Sequence, residues 1–257
     1  MSLLTKLSKK LHALDCSRGY TCDLCSKELF HYPRERICQS CENKLMRNDG
    51  RICFKCGRKT LADGICLTCK RLPPQFERGF SPYVYVGNSA SAVNQLKNGK
   101  TKLAAYLGEE MADYFLSLYE RRNLFSEQLG ELTFLIVPVP TSKQKKRERG
   151  YNQAELLAWN VERRLLERGY RAQVSEDILK KRGELPQQKH LHYMERIQNA
   201  EKAYSVAKRK SCKNQIILLI DDILTTGATS GECARKLYSA GAASVFFLCA
   251  AARAEER

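Results

Sequence analysis

Ile216-Ile217-Leu218-Leu219-Ile220-Asp221-Asp222-Ile223-Leu224-Thr225-Thr226-Gly227-Ala228-Thr229 is the stretch on which the reading of this 257-residue chain turns. Five consecutive aliphatic residues predict a strand of a parallel sheet, buried on both faces. Two aspartates stand where that strand is expected to end. A short Thr/Gly loop follows, and Cys233, Ala234 and Leu237 then recur at helical spacing. In open α/β sheets, ligands sit beyond the carboxyl ends of the strands. The N–H groups that open the next helix favour an anion. Strand, acidic pair, loop and helix therefore describe a pocket. Its loop, Thr225 to Thr229, suits a phosphate, and its carboxylates suit sugar hydroxyls. A buried strand with an acidic turn and no ligand is the plainer alternative. It gives no reason for paired aspartates beside a phosphate-sized loop.

Outward from this stretch, strands and helices alternate. Tyr83 to Val86 reads as a strand. Leu103, Leu107, Met111, Phe115 and Leu118 give residues 100–120 one apolar helical face. Leu132 to Val139 reads as a buried strand, closed by Pro138-Val139-Pro140. Residues 151–168 predict a helix, Arg171 to Ser175 a short strand, and Ser244 to Ala250 a last strand. Residues 177–210 are strongly polar and predict a hairpin or a mobile loop. The alternation predicts an α/β fold with a mostly parallel sheet flanked by helices.

The cysteines divide the chain. Eight of twelve lie in four Cys-x-x-Cys pairs: Cys22/Cys25, Cys38/Cys41, Cys53/Cys56 and Cys66/Cys69. Two such pairs supply the four thiolates of a tetrahedral Zn²⁺ site, so four pairs supply two. Sequential pairing is the simplest arrangement; an interleaved one uses the same residues. Gly57, just after Cys56, suits a tight knuckle turn. Disulfides require an oxidising compartment, and nothing in the sequence directs export. Residues 20–70 hold few large aliphatics, so a module of this size needs a staple. Both zincs are expected to be structural. Of the other cysteines, Cys16 and Cys212 lack a paired partner, and Cys233 and Cys249 read as core residues. Pro73-Pro74 marks a linker, which divides the chain into a zinc-binding, double-ribbon-like module at 1–75 and a second domain at 76–257.

Lys and Arg number 44 against 28 Asp and Glu, a net charge of +16. This excess favours a polyanionic partner, nucleic acid or an anionic membrane surface. No apolar run approaches the ~20 residues of a membrane span. Leu3, Leu4, Leu7, Leu11 and Leu14 fall on one helical stripe, read first as a docking helix and second as a membrane-surface contact. The expected location is the cytoplasm, with peripheral contact at the inner face of the membrane as the lesser reading. Lys143, Lys145, Lys146, Arg147 and Arg149 form a basic loop flanked by Tyr151 and Trp159. A second basic stretch includes Lys180, Lys181, Arg182, Lys189 and Arg196. Backbone neutralisation with aromatic stacking holds single strands without sequence preference. For Trp159 alone, a place in the core of a helix is the better reading. His12, His31, His190 and His192 carry little weight.

The Asp221–Thr229 segment resembles the phosphoribosyl-pyrophosphate loop of type I phosphoribosyltransferases. That resemblance implies that Asp221 and Asp222 bind the ribose 2- and 3-hydroxyls. It also implies that Thr225, Thr226, Gly227, Ala228 and Thr229 wrap the 5-phosphate. Val137-Pro138-Val139-Pro140, the run Arg147-Glu148-Arg149-Gly150-Tyr151-Asn152-Gln153, and Leu179, Arg182, Gln188, Leu191, Arg196, Asn199 and Tyr204 extend the likeness. With the cysteine module and the Tyr-x-Tyr strand before Leu96-Lys97, they resemble the ComF family of competence proteins from Cys22 onward. The resemblance implies a phosphoribosyltransferase-like domain behind a zinc module. It implies a role in natural transformation, handling incoming single-stranded DNA beside a competence helicase and the DNA-uptake machinery.

An active Mg²⁺-dependent phosphoribosyltransferase with an unknown acceptor is the alternative. There Mg²⁺ bridges donor oxygens, the C1–pyrophosphate bond breaks first through an oxocarbenium-like state, and cations hold the leaving pyrophosphate. The turn after Val139, Arg147 or Arg149, and a closing segment at 180–200 are the candidates for that work. Little C-terminal material is left to recognise a base. No glutaminase signature is present, so glutamine-dependent amidotransfer is not expected.

Overall fold

The computed structural model describes residues 21–29, 36–121, 133–182, 203–207 and 212–255. The N-terminal leucine stripe, Cys16, Arg196, all four histidines and most of the segment 180–200 lie outside these residues. In chain order the elements are α1 (Gln39–Glu42), α2 (Leu67–Arg71), β1 (Arg78–Phe80), β2 (Tyr83–Val84), α3 (Gly87–Lys97) and α4 (Leu103–Arg121). Then come β3 (Thr133–Pro138), α5 (Lys143–Arg149), α6 (Gln153–Glu167), β4 (Arg171–Val174), β5 (Leu179–Lys181) and β6 (Tyr204–Val206). The last three are β7 (Ile216–Leu224), α7 (Ala228–Ser239) and β8 (Ser244–Ala252).

The main sheet runs β1-β8-β7-β3-β4, with β2 also on β8, and every pair in it is parallel. The expected mostly parallel α/β sheet flanked by helices is therefore present. Ile217, Leu218, Leu219 and Ile220 are wholly buried, because β7 lies between two neighbours and under cover on both faces. β5 and β6 pair antiparallel as a separate two-stranded sheet, the hairpin anticipated in the polar segment.

Alternation along each strand sorts the core into two layers. Phe134, Ile136, Leu218, Ile220, Phe246 and Leu248 face α3, α4 and α6. Val137, Ile217, Leu219, Val245 and Phe247 face α7 and the hairpin residues Leu179 and Tyr204. The cysteine groups divide between the layers. Cys22, Cys38 and Cys41 join the first layer with Leu24, Leu29, Ile37 and Leu45. Cys53, Cys56, Cys66 and Cys69 join the second with Phe76.

Three elements depart from expectation. β7 extends to Leu224, so Asp221 and Asp222 lie within the strand. Register with β8 continues through Asp221, Ile223 and Leu224, which keeps the chain extended. The second strand ends at Val84, because Gly87, at φ 51°, starts a helix that the sequence reading missed. The basic loop is a helix, α5. Ser142 caps it by accepting from the Lys145 N–H, and Gly150 closes it in the left-handed region. A seven-residue run with no apolar residue has no periodic signal, so only its caps reveal it.

Candidate ligand site and metal centres

At the carboxyl end of β7, Asp221, Asp222, Thr225, Thr226, Gly227 and Thr229 line a cavity of about 400 Å³ with Ser230, Lys97 and Lys145, whereas Ala228 lines a hollow on the other side of the loop. Adjacent residues in a strand point to opposite faces, so each aspartate meets a different layer. Asp222 takes an ion pair from Lys97 Nζ at 3.2 Å, reaching over from the end of α3. Asp221 lies toward the α7 layer, in the field of Lys181, and accepts the Asp222 N–H at 2.8 Å. Burial first, and then the neighbouring Asp222 carboxylate, push Asp221 up to about 7. Near pH 7 the unliganded Asp221 is therefore about half protonated. A sugar diol or a cation would complete the compensation that Lys97 begins.

Gly227, at φ 82°, is the N-cap of α7, a conformation that side chains with a Cβ rarely adopt. Thr226 Oγ1 accepts the Ala228 N–H, and the Gly227 carbonyl accepts from Gly231 N–H and from Ser230 Oγ. The loop thus folds back on the first turn of α7. That turn offers backbone N–H groups with no partner inside the helix. On the other side of the loop, Leu72, Pro73, Pro74 and Gln75 form a smaller hollow of about 160 Å³ with Gly231, Glu232 and Arg235.

The candidate basic residues are dispersed. Lys145 lines the cavity. Lys146 bonds Glu155 through both carboxylate oxygens, at 2.6 and 2.7 Å. Lys143, Arg147 and Arg182 are exposed, and Arg149 is half-buried. Tyr151 donates to the Leu96 carbonyl and accepts from the Gly99 N–H, which ties α3 to the start of α6. Asn152 caps α6 and bonds the Val139 carbonyl. Trp159 is buried and donates to Glu176, as expected of a core residue. The Arg-x-Arg-Gly-Tyr-Asn-Gln run therefore acts, in good part, by capping two helices behind the cavity. Cys233 and Cys249 are buried core residues, also as expected, and so is Cys212.

The eight module cysteines fall into Cys22/Cys25/Cys38/Cys41 and Cys53/Cys56/Cys66/Cys69, each set with its sulfurs within 4.8 Å of one another. The sequential grouping holds and the interleaved one does not. Cys25 and Cys38 sulfurs stand 3.7 Å apart, and those of Cys56 and Cys66 3.8 Å. A tetrahedral zinc with bonds of about 2.3 Å sets its sulfurs roughly 3.8 Å apart, so both sets fit Zn²⁺. Backbone N–H groups also point at the sulfurs: Cys25 and Cys38 at Cys22 Sγ, Cys56 and Cys66 at Cys53 Sγ. Burial raises the Cys22 thiol, but the N–H groups of Cys25, Cys38 and Leu24 outweigh it and bring it to about 7. At Cys22 this favours the thiolate, whereas burial and the neighbouring sulfurs push Cys41 up.

Two side chains at the candidate site escaped the sequence reading. Lys97 was legible only as part of a Leu-Lys dipeptide. Arg58, two residues past Cys56, has no motif of its own. It is 6% exposed, donates through Nε to Cys56 Sγ at 3.3 Å, and through Nη2 to the Thr225 carbonyl at 2.5 Å.

No family model matches the chain. Competence protein ComFC of Bacillus subtilis is 29% identical over 237 residues, 91% of this chain and 92% of that protein. DNA utilization protein YhgH of Escherichia coli K12 is 27% identical over 218 residues, 83% of this chain and 88% of that protein. Competence protein F of Haemophilus influenzae is 24% identical over 227 residues, 87% and 93% respectively. A hypoxanthine-guanine phosphoribosyltransferase from Schistosoma mansoni, solved in complex with IMP, covers 60% of this chain and 61% of its own at 16% identity. The TM-score of that match is 0.32. Over most of its length, the chain is a homologue of proteins named competence protein ComFC, competence protein F and DNA utilization protein YhgH.

Proposed function

We propose that this protein binds phosphoribosyl pyrophosphate, or a similar phosphorylated ribose, at the carboxyl end of β7 and handles single-stranded DNA in a competence-type process in the cytoplasm. One observation carries the ligand reading: Asp221, Asp222, the helix-opening loop residues Thr225, Thr226, Gly227 and Thr229, and Lys97 and Lys145 line one cavity. The carboxylates accept from the ribose 2- and 3-hydroxyls, the loop N–H groups hold the 5-phosphate, and the lysines face the pyrophosphate. Mg²⁺, held mainly by the ligand's oxygens with at most one of these carboxylates, would supply charge neutralisation. The names of the homologues, the +16 charge and the exposed Lys143, Arg147 and Arg182 support the DNA reading. A competence helicase and the DNA-uptake machinery are the expected partners. The two cysteine sets act as structural zinc sites, and 1–75 and 76–257 are the proposed units of the chain.

Calorimetric titration of the zinc-loaded protein with phosphoribosyl pyrophosphate and Mg²⁺, with and without a short single strand, tests both halves. Binding that disappears in a folded Asp221→Ala/Asp222→Ala variant supports the site. Unchanged affinity in that variant removes it. The same acidic and basic groups suit an active transferase, and pyrophosphate release on adding candidate acceptors is the measurement that would favour it. No release with any acceptor leaves a binding or regulatory site.

A further inference from the structure

We infer that Arg58 is a positioning residue for the ligand loop, tying the carbonyl of Thr225 to the second cysteine cluster. Arg58 is buried, and a buried guanidinium needs a fixed counter-charge and filled donors. Here the two needs are met on opposite sides. Nε donates to Cys56 Sγ at 3.3 Å. With Zn²⁺ bound, four thiolates and the ion carry about −2, the compensation this cation requires. Nη2 then takes the Thr225 carbonyl at 2.5 Å, on the residue that opens the phosphate loop. A carbonyl drawn toward the cluster orients the following peptide, so the Thr226 N–H is set by the same bond.

The cluster is itself fixed against the sheet, which gives the strap a rigid anchor. A Cβ on Gly57 would lie 2.2 Å from the Gly79 carbonyl oxygen, and one on Gly79 2.4 Å from that of Cys56. The knuckle turn therefore lies directly against β1. Asn48 Nδ2 donates to the Gly57 and Ser81 carbonyls. Glu255, beyond the end of β8, accepts the N–H groups of Leu61 and Leu67 and donates its own N–H to Lys59. Arg253 N–H bonds the Leu224 carbonyl at the end of β7. Cluster, strand end and loop form one hydrogen-bonded unit, with Arg58 as its direct link to Thr225.

The assignment of the loop as a ligand site rests on the reading above, but the strap can be tested apart from it. The test compares wild type, Arg58→Met and Arg58→Lys by amide hydrogen exchange, zinc content and phosphoribosyl pyrophosphate affinity. In Arg58→Met with both zincs retained, amides of 225–229 are expected to exchange about tenfold faster or more, as a charged hydrogen bond is lost. Residues 133–167 should keep their protection. Arg58→Lys keeps the charge but not the fork, so it should fall between the two. A purely structural Arg58 would instead loosen 52–69 and β1 as well, and that pattern, or loop exchange equal to wild type, overturns the inference. If Arg58→Met loses zinc, Arg58→Lys decides by the same criterion. Wild-type protein that binds no ribose phosphate, while loop exchange still answers to Arg58, would refute the ligand reading and leave the strap standing.

Discussion

The two cysteine clusters share a motif and differ in what they hold. Of the first cluster, Cys22, Cys38 and Cys41 pack into the layer of α4 and α6, and Cys25 is exposed. Bonds beside that cluster lead to Lys100, which donates to the Leu24 carbonyl, and from Arg36 to Glu109. Cys53, Cys56, Cys66 and Cys69 pack into the other layer, and bonds beside them lead to Thr225. The first staples a surface to the core. The second also reaches the Thr225–Thr229 loop, the proposed ligand site. One sequence signature therefore has two consequences, and the neighbours decide which applies.

The largest expected effect breaks this comparison or upholds it. Cys22→Ser and Cys53→Ser should each remove one zinc and lower stability on the order of several kcal/mol. Only Cys53→Ser should also weaken phosphoribosyl pyrophosphate binding in the protein that remains folded. Metal analysis, thermal melting and calorimetry together read this, and equal affinities in the two variants would erase the distinction.

Next comes the acidic pair. Asp222→Asn removes the partner of Lys97 and an acceptor for the ligand, so affinity should fall about 10- to 100-fold. Zinc content should remain at the wild-type value.

A smaller effect follows from pH. Asp221 is raised from 3.8 to about 7 on folding. The native state therefore holds this proton more tightly than the unfolded chain does. Its ionisation withdraws stability as pH rises from about 4 to about 7. Ligand binding that needs the carboxylate runs the other way and should strengthen as pH rises from 6 to 8, by about tenfold at most per unit below 7. Asp221→Asn should flatten both trends, and denaturant melts and titrations across that range would show it.

The smallest effect sharpens the contrast between two adjacent residues of α5. Arg147 is exposed, whereas Lys146 is paired with Glu155. Arg147→Ala should reduce the salt slope of single-strand binding by about one phosphate contact without loss of stability. Lys146→Ala should cost stability instead, because it leaves the largely buried Glu155 carboxylate without its cation. Salt titrations and melts on both variants separate the two roles.

Much of this molecule is written in short stretches of sequence. β7 is legible because its aliphatic run is longer than any exposed segment tolerates. The cysteine sets are legible because a zinc knuckle needs two ligands three residues apart. The Asp221–Thr229 segment is legible because strand, acids and loop are contiguous. Helix α5 was not, since a run of charged residues has no apolar period and forms under the caps Ser142 and Gly150. The strand end was set too early, because an aspartate inside a strand looks like a stop until the register with β8 is seen.

By itself, then, the sequence determined the parallel sheet, the two sets of four thiolates and the acidic pair with its loop, each coded by residues close along the chain. Only the tertiary structure decided which cysteine set meets which face, which aspartate meets Lys97, and that Arg58 spans from Cys56 to Thr225. These contacts join residues more than a hundred positions apart in two of the three cases. Chain closure over such distances is set by packing of the whole sheet, and it leaves no periodicity in the sequence to read.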